Sequence, residues 1–203
     1  MAGREDWMTV ASEDPDDVRE RILTGYKEGK PFTPYVPTLP LPSPIDRVLD
    51  FGCGLGRNFP YLTRIARSVS GFDLPPMIDR CRALAPERVE LLTSDWPELA
   101  ASRFDLIFAS LVLQHIEPGP ARAFLRDFAR MAPTVYLLTR TRTDFDENVF
   151  DIVRELDVFR PGPCVEVDHD PITHQLRVLG RTSLDELVGN RAEGHYEVML
   201  SSV

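Results

Sequence analysis

Val48-Leu49-Asp50-Phe51-Gly52-Cys53-Gly54-Leu55-Gly56-Arg57-Asn58 decides the fold. Arg47 to Phe51 is a short apolar run of strand length, and a helical pattern begins behind the glycines at Phe59 and Leu62. Glycines at 52, 54 and 56 permit positive φ and leave no Cβ between backbone and ligand. A turn of this kind between strand and helix offers free backbone N–H groups and the positive helix end to an incoming anion. Taken alone, such a turn is shared by dinucleotide and phosphate binders.

Downstream, strands and helices alternate. Val69 to Phe72 reads as a second strand, and Pro75-Pro76 opens a helix with Ile78 and Cys81 inward. Val89 to Leu92 reads as a third strand, Phe104 to Ala109 as a fourth and Thr134 to Leu138 as a fifth. The helix behind the glycines is expected to carry Phe59, Leu62 and Ala66, and the helix after strand four Phe124, Leu125, Phe128 and Ala129. Alternation at this pitch predicts right-handed crossovers and a doubly wound, mostly parallel α/β sheet with helices on both faces. Upstream, residues 13–30 read as a helix that Asp14 can cap, with Val18, Ile22 and Tyr26 on one face. Residues 31–44 hold six prolines and read as an extended arm, packed down through Phe32, Tyr35, Val36 and Leu39. After residue 140, Phe145, Val149, Ile152, Val153 and Leu156 mark an amphipathic helix. A hairpin around Asp168-His169-Asp170-Pro171, a capping box from Ser183 and Glu186, and a closing strand from His195 follow. The expected organisation is one domain: an N-terminal helix and arm (1–44), a core (45–140), and a helix-hairpin cap with the closing strand (141–203).

Three carboxylates sharpen the turn. The glycines are spaced G-x-G-x-G, not the G-x-G-x-x-G of dinucleotide folds. Asp50 stands two residues before the first glycine. Asp73 ends strand two, where a carboxylate accepts the hydrogen bonds of a ribose diol and repels a 2′-phosphate. Ser94-Asp95-Trp96 ends strand three, with a carboxylate and an aromatic plane for a purine. All three lie at strand ends on one sheet edge, where open α/β sheets bind ligands. Simpler roles stand beside these: Asp50 capping the turn's amides, Trp96 as core, and Asp73 as an N-cap before Pro75. Cys53 reads as a small filler, since no base is adjacent in sequence.

The D-x-G-C-G-x-G segment, the acid closing strand two, S-D-W after strand three and F-D-L-I-F-A-S in strand four resemble the class I S-adenosylmethionine-dependent methyltransferases, a Rossmann-like fold. The resemblance covers roughly residues 45–140. It implies S-adenosylmethionine as cofactor, with Gly52, Cys53, Gly54 and Gly56 around its methionine part and Asp50 nearby. Asp73, with Leu74 beside it, would hold the ribose, Asp95 the adenine amino group and Trp96 the adenine face. Ser110 and Leu111 would line the methyl-donor pocket, and Arg57 matches a position that in some members reaches the cofactor carboxylate.

Methyl transfer from a sulfonium is an in-line displacement, so alignment and water exclusion matter more than a fixed catalytic residue. His115, in Leu113-Gln114-His115-Ile116 after strand four, reads either as a base for the acceptor or as a backbone-bonded residue at a helix start. The family places acceptor-specific elements at the N-terminus and after strands four and five, which here means Tyr26, Phe32, Tyr35, Gln114, Arg140 and residues 144–180. In that last region Glu166, Asp168, His169, Asp170 and His174, with Cys164, read as turn chemistry more readily than as a metal site, and as a cap over the acceptor.

Bulk composition narrows the substrates. The 203 residues are 43% hydrophobic and 27% charged, enough for one globular core. A net charge of -9 repels phosphate backbones and disfavours nucleic-acid binding. No apolar run approaches membrane-helix length, the first residues are polar, and three scattered cysteines form no disulfide or zinc pattern, so a cytoplasmic location is expected. The leading expectation is transfer to an O, N or C nucleophile of a small molecule, the oligomeric state being open. Its rivals are protein or RNA methylation, which calls for an exposed basic or aromatic groove, a non-catalytic cofactor-binding subunit, and a nicotinamide dehydrogenase.

Overall fold

The computed structural model describes residues 34–203 except 84, 86, 142–145, 171, 172, 174 and 191. The expected helix over 13–30 with Tyr26, and the roles given to Phe32, Phe145 and His174, lie outside the described residues.

Strands β1 (Ile45–Phe51), β2 (Ala66–Phe72), β3 (Val89–Thr93), β4 (Leu106–Ser110) and β5 (Thr134–Arg140) are the five expected from the apolar runs. Helices α1 (Phe59–Ile65), α2 (Pro75–Arg82), α3 (Trp96–Ala100) and α4 (Pro118–Met131) connect them. Beyond lie α5 (Val149–Leu156), the hairpin β6 (Phe159–His169) and β7 (Leu176–Thr182), α6 (Leu184–Leu187) and β8 (His195–Ser202). The sheet order is β3-β2-β1-β4-β5-β8-β6-β7. The first five strands pair in parallel, and β8, β6 and β7 add on antiparallel.

The central strands are apolar on both sides, as buried parallel strands are. Leu49, Phe51, Ile107, Ala109, Val135 and Leu137 face one layer with Leu125 and Phe128 of α4 and Phe150 and Val153 of α5. Val48, Phe108, Tyr136 and Leu138 face the other, with Phe59 and Leu62 of α1, Ile78 and Cys81 of α2, and Tyr35 and Leu39 of the arm. The chain leaves β1 towards β2 and leaves β4 towards β5, so the crevice between β1 and β4 is the topological switch point.

Three expectations change. Ala66 belongs to β2 rather than the first helix, because its extended backbone (φ -121, ψ 153) ends α1 and starts the strand. The hairpin is no separate cap: β6 pairs along β8 and continues the sheet, leaving only its turn end at the ligand edge. In the arm, Tyr35 and Leu39 pack down but Val36 is exposed. The capping box on Ser183 and Glu186 forms as the sequence predicts.

Candidate active site

β1 ends at Phe51, and the chain bends through Gly52, Gly54 and Gly56 at φ of 75, 55 and 85. A Cβ on Gly52 would lie 2.4 Å from Val112 Cγ2, so only glycine fits at the switch point. The bend is fastened to the end of β2. Gly52 and Cys53 N–H both donate to the Phe72 carbonyl, at 2.8 and 3.1 Å. Gly54 N–H donates to Asp73 Oδ2 at 2.7 Å, and Leu74 N–H to Oδ1 at 2.6 Å. Asp73 is thus the brace of the turn and not the N-cap of α2, a place that Leu74 takes. Burial raises the Asp73 pKa and the two amide donors pull it back. Each carboxylate oxygen keeps a lone pair for a further hydroxyl.

Asp50 is fully buried behind the turn. Its Oδ1 accepts from Asn58 Nδ2 at 3.3 Å, while Oδ2 has no partner among the described residues. Burial pushes its carboxyl up to about 7, the Asn58 bond opposes this and the charge of Asp73 adds to it. Asp50 therefore does not cap the turn's amides. Tyr35 of the arm lies over this corner: its N–H donates to Asn58 Oδ1 at 3.3 Å, and its hydroxyl accepts from Arg57 Nη1 at 2.9 Å. The Arg57 guanidinium stands 5.2 Å from the Tyr35 ring centre. Cys53 is buried against Cys81, and that neighbour and burial push its thiol far up, so no thiolate forms near neutrality.

At the end of β3, Asp95 is exposed and caps α3 by accepting from Glu98 N–H at 3.1 Å. Trp96 joins an aromatic cluster, edge-on to Phe51, Phe72 and Phe124 at 5.5, 5.0 and 4.8 Å, and its Nε1 donates to Asp127 at 2.7 Å. Its ring is half-buried, so the core role is real whatever else one face meets. Across the crevice, Ser110 Oγ is buried with no partner among the described residues. Leu111 follows in the left-handed region at φ 55, held by its N–H bond to the Leu138 carbonyl at 2.7 Å. A leucine there is strained, a condition that clusters at ligand sites.

Gln114 and His115 lie in a single 3-10 turn after β4, Leu113–His115. Gln114 is buried and accepts from Arg140 N–H at 2.9 Å, which ties the turn to the end of β5. His115 N–H donates to the Val112 carbonyl at 2.9 Å, and its Nε2 lies 3.4 Å from Gln114 Nε2. Arg140 ends β5 with its guanidinium on Glu193. Among the described residues, no group of three or more His, Cys, Asp and Glu side chains is placed to hold a metal.

Residues 48–133, from β1 through α4, match the model of a family described as a methyltransferase domain. Over this stretch the chain is similar to a methyltransferase domain. Solved structures of low identity share the fold. The N-methyltransferase NodS from Bradyrhizobium japonicum WM9, in complex with S-adenosyl-L-homocysteine, superposes with a TM-score of 0.52 at 18% identity over 78% of each chain. A TehB-like SAM-dependent methyltransferase from Corynebacterium glutamicum ATCC 13032 Kitasato gives 0.54 at 18% identity, over 80% of this chain and 83% of that one. The mitomycin 7-O-methyltransferase MmcR gives 0.53 at 14% identity, over 78% of this chain and 49% of that one. Among curated proteins, none matches the chain significantly in sequence.

Two parts of the site's surroundings escape a reading of sequence. Glu197 is fully buried in β8, where it accepts from Thr38 N–H at 2.8 Å, from the Thr38 hydroxyl and from the Tyr136 hydroxyl at 2.7 Å. It pins the arm, and so Tyr35, over the glycine turn. His169 and His195, at the turn end of β6 and the start of β8, meet beside Tyr35. An apolar strand interrupted by one acid was the only trace of the first, and the strand pairing behind the second is set far along the chain.

Proposed function

We propose that the chain transfers the methyl group of S-adenosylmethionine to an O, N or C nucleophile of a small molecule by in-line displacement. The observation that carries this reading is the glycine turn braced by Asp73 at the β1–β4 switch point, with the unpartnered Asp50 oxygen behind it. These residues suit the cofactor. A side-chain-free bend admits its backbone-facing part, a buried lone carboxylate oxygen suits an ammonium, and Asp73 has lone pairs left for a ribose diol. When bound, the cofactor supplies an electrophilic methyl group on a sulfonium. The chain's own residues then bind, orient and dry the site. Gly52, Cys53, Gly54 and Gly56 form the cradle. Asp95 and Trp96 take the adenine end, while Ser110 and the strained Leu111 line the donor pocket. Arg57 offers its guanidinium to the cofactor carboxylate from beneath Tyr35. Tyr35 and Arg140 border the acceptor, and His115 serves as the proton acceptor where the nucleophile must lose one.

The small-molecule reading draws support from the net charge of -9 and from neighbours in fold described as an N-methyltransferase and a mitomycin O-methyltransferase. We take residues 1–203 as one functional unit, with 45–140 for the cofactor and the flanks for the acceptor. Three free thiols suit a reducing cytoplasm, and no helix among the described residues is long and apolar enough to cross a membrane. The test is methyl-labelled S-adenosylmethionine incubated with the protein and a cell extract split into metabolite, protein and RNA fractions. Label in the metabolites is expected; label in protein or RNA alone overturns the small-molecule assignment.

A further inference from the structure

Past β4 the chain makes one short turn whose residues are held in place. Val112 packs on Gly52, where an added Cβ would come within 2.4 Å of it. Leu113 is buried in the core, and the 3-10 turn Leu113–His115 is closed by the His115 N–H on the Val112 carbonyl at 2.9 Å. Gln114 and His115 thus stand beside the glycine bend, at the switch point between β1 and β4.

The Gln114 amide has a fixed polarity. A main-chain N–H can only donate, so the amide atom 2.9 Å from Arg140 N is the carbonyl oxygen. The Thr139 hydroxyl reaches the same oxygen at 3.4 Å. Turning the buried amide over would set its NH2 group against the Arg140 N–H, donor against donor. The NH2 end therefore faces His115 Nε2, at 3.4 Å. An NH2 group has only protons to offer, so the ring nitrogen it meets must carry the lone pair. A neutral imidazole has one such nitrogen, which leaves the ring proton on Nδ1.

We propose that Gln114 is a positioning residue for methyl transfer: it holds His115 as the Nδ1–H tautomer, so that Nε2 takes the acceptor's proton. This role rests on the proton-accepting His115 of the methyltransferase reading above. At 3.4 Å the amide contact is longer than an ordinary hydrogen bond, so a shorter O–H or N–H donor of the acceptor displaces it. The nucleophile's bond to hydrogen then breaks, leaving its electron pair on the nucleophile, and a new N–H forms at Nε2. The imidazolium returns that proton to water after the product leaves. The opposite tautomer would set Nε2–H against the NH2 group and put the lone pair on the wrong nitrogen.

The test reads the tautomer directly, in two-bond ¹H–¹⁵N spectra of the His115 ring at about pH 8, above the ordinary histidine range. Signals are assigned against His115→Phe. The parent protein is expected to show a protonated Nδ1 and an unprotonated Nε2. In Gln114→Glu one carboxylate oxygen still accepts from the Arg140 N–H and the other accepts from the ring, so the proton is expected to move to Nε2. That variant should pass labelled methyl to the metabolite fraction of a cell extract about a hundredfold more slowly, the low end of what a positioned base contributes. Its affinity for S-adenosylhomocysteine should match the parent's. A parent ring protonated at Nε2, or divided between both tautomers as in free imidazole, overturns the proposal without need of a variant. So does a Gln114→Glu protein that inverts the tautomer and transfers methyl at the parent's rate. Failure of S-adenosylhomocysteine to bind the parent defeats the methyltransferase reading instead, and is seen by calorimetry before any spectrum is taken.

Discussion

Replacing Asp50 by asparagine should make the protein's stability less sensitive to pH, and the structure sets the size. Asp50 is fully buried with a single side-chain donor, Asn58, at 3.3 Å. Its carboxyl is pushed from an ordinary 3.8 to about 7, chiefly by burial. Between those values the folded protein binds more protons here than the unfolded chain, so stability is full at acid pH and is lost as pH rises through about 7. The rise amounts to ~4 kcal/mol, at about 1.4 kcal/mol per pKa unit, as the most that ionisation can cost. An amide of the same shape never ionises, so this contribution disappears in Asp50→Asn. Urea unfolding of both proteins without ligand, at pH 5 and pH 8, isolates the difference because every other titration cancels. Relative to the parent, Asp50→Asn should gain a few kcal/mol on going from pH 5 to pH 8. A difference that stays constant with pH refutes the protonated, desolvated carboxyl.

Gly52→Ala places a Cβ 2.4 Å from Val112 on a backbone at φ 75, so it should cost about 2–4 kcal/mol in urea unfolding and abolish binding of S-adenosylhomocysteine. Asp73→Ala should raise the dissociation constant of that ligand roughly 5- to 150-fold, about 1–3 kcal/mol, by calorimetry. Glu197→Ala strands the buried Tyr136 hydroxyl and releases Thr38, so it should cost about 1–3 kcal/mol and open residues 34–44 to chymotrypsin while the sheet stays folded. Trp96→Phe keeps the ring packing but loses the Nε1 bond to Asp127; a loss of about 1 kcal/mol is expected in thermal or urea unfolding.

The parallel core was legible because its signals are local. Glycines at 52, 54 and 56 stand where φ is positive, and the runs at β1 to β5 carry their strand character in adjacent residues. The outer sheet was not. Period-two alternation in β6 and β7 marks them as strands but says nothing about neighbours, and β8 slides between β5 and β6 although it comes last in the chain. The hairpin accordingly read as a cap. The same distance hid Glu197, whose partner Thr38 lies 159 residues away, and the His169–His195 corner. Within the site, Asp73 and Asp50 were picked out by position, but the division of labour between them was not. That division depends on which donors each carboxylate meets, the backbone N–H groups of Gly54 and Leu74 for one and the Asn58 side chain for the other. The strain at Leu111 has no sequence signal, since leucine gives no hint of φ 55.

The most direct trial of the cradle formed by Gly52 to Gly56, Asp73 and Asp50 is calorimetry with S-adenosylhomocysteine and NAD on the same protein. The cradle predicts micromolar affinity for the first and far weaker binding of the second; tighter binding of NAD, or silence from both, would contradict it.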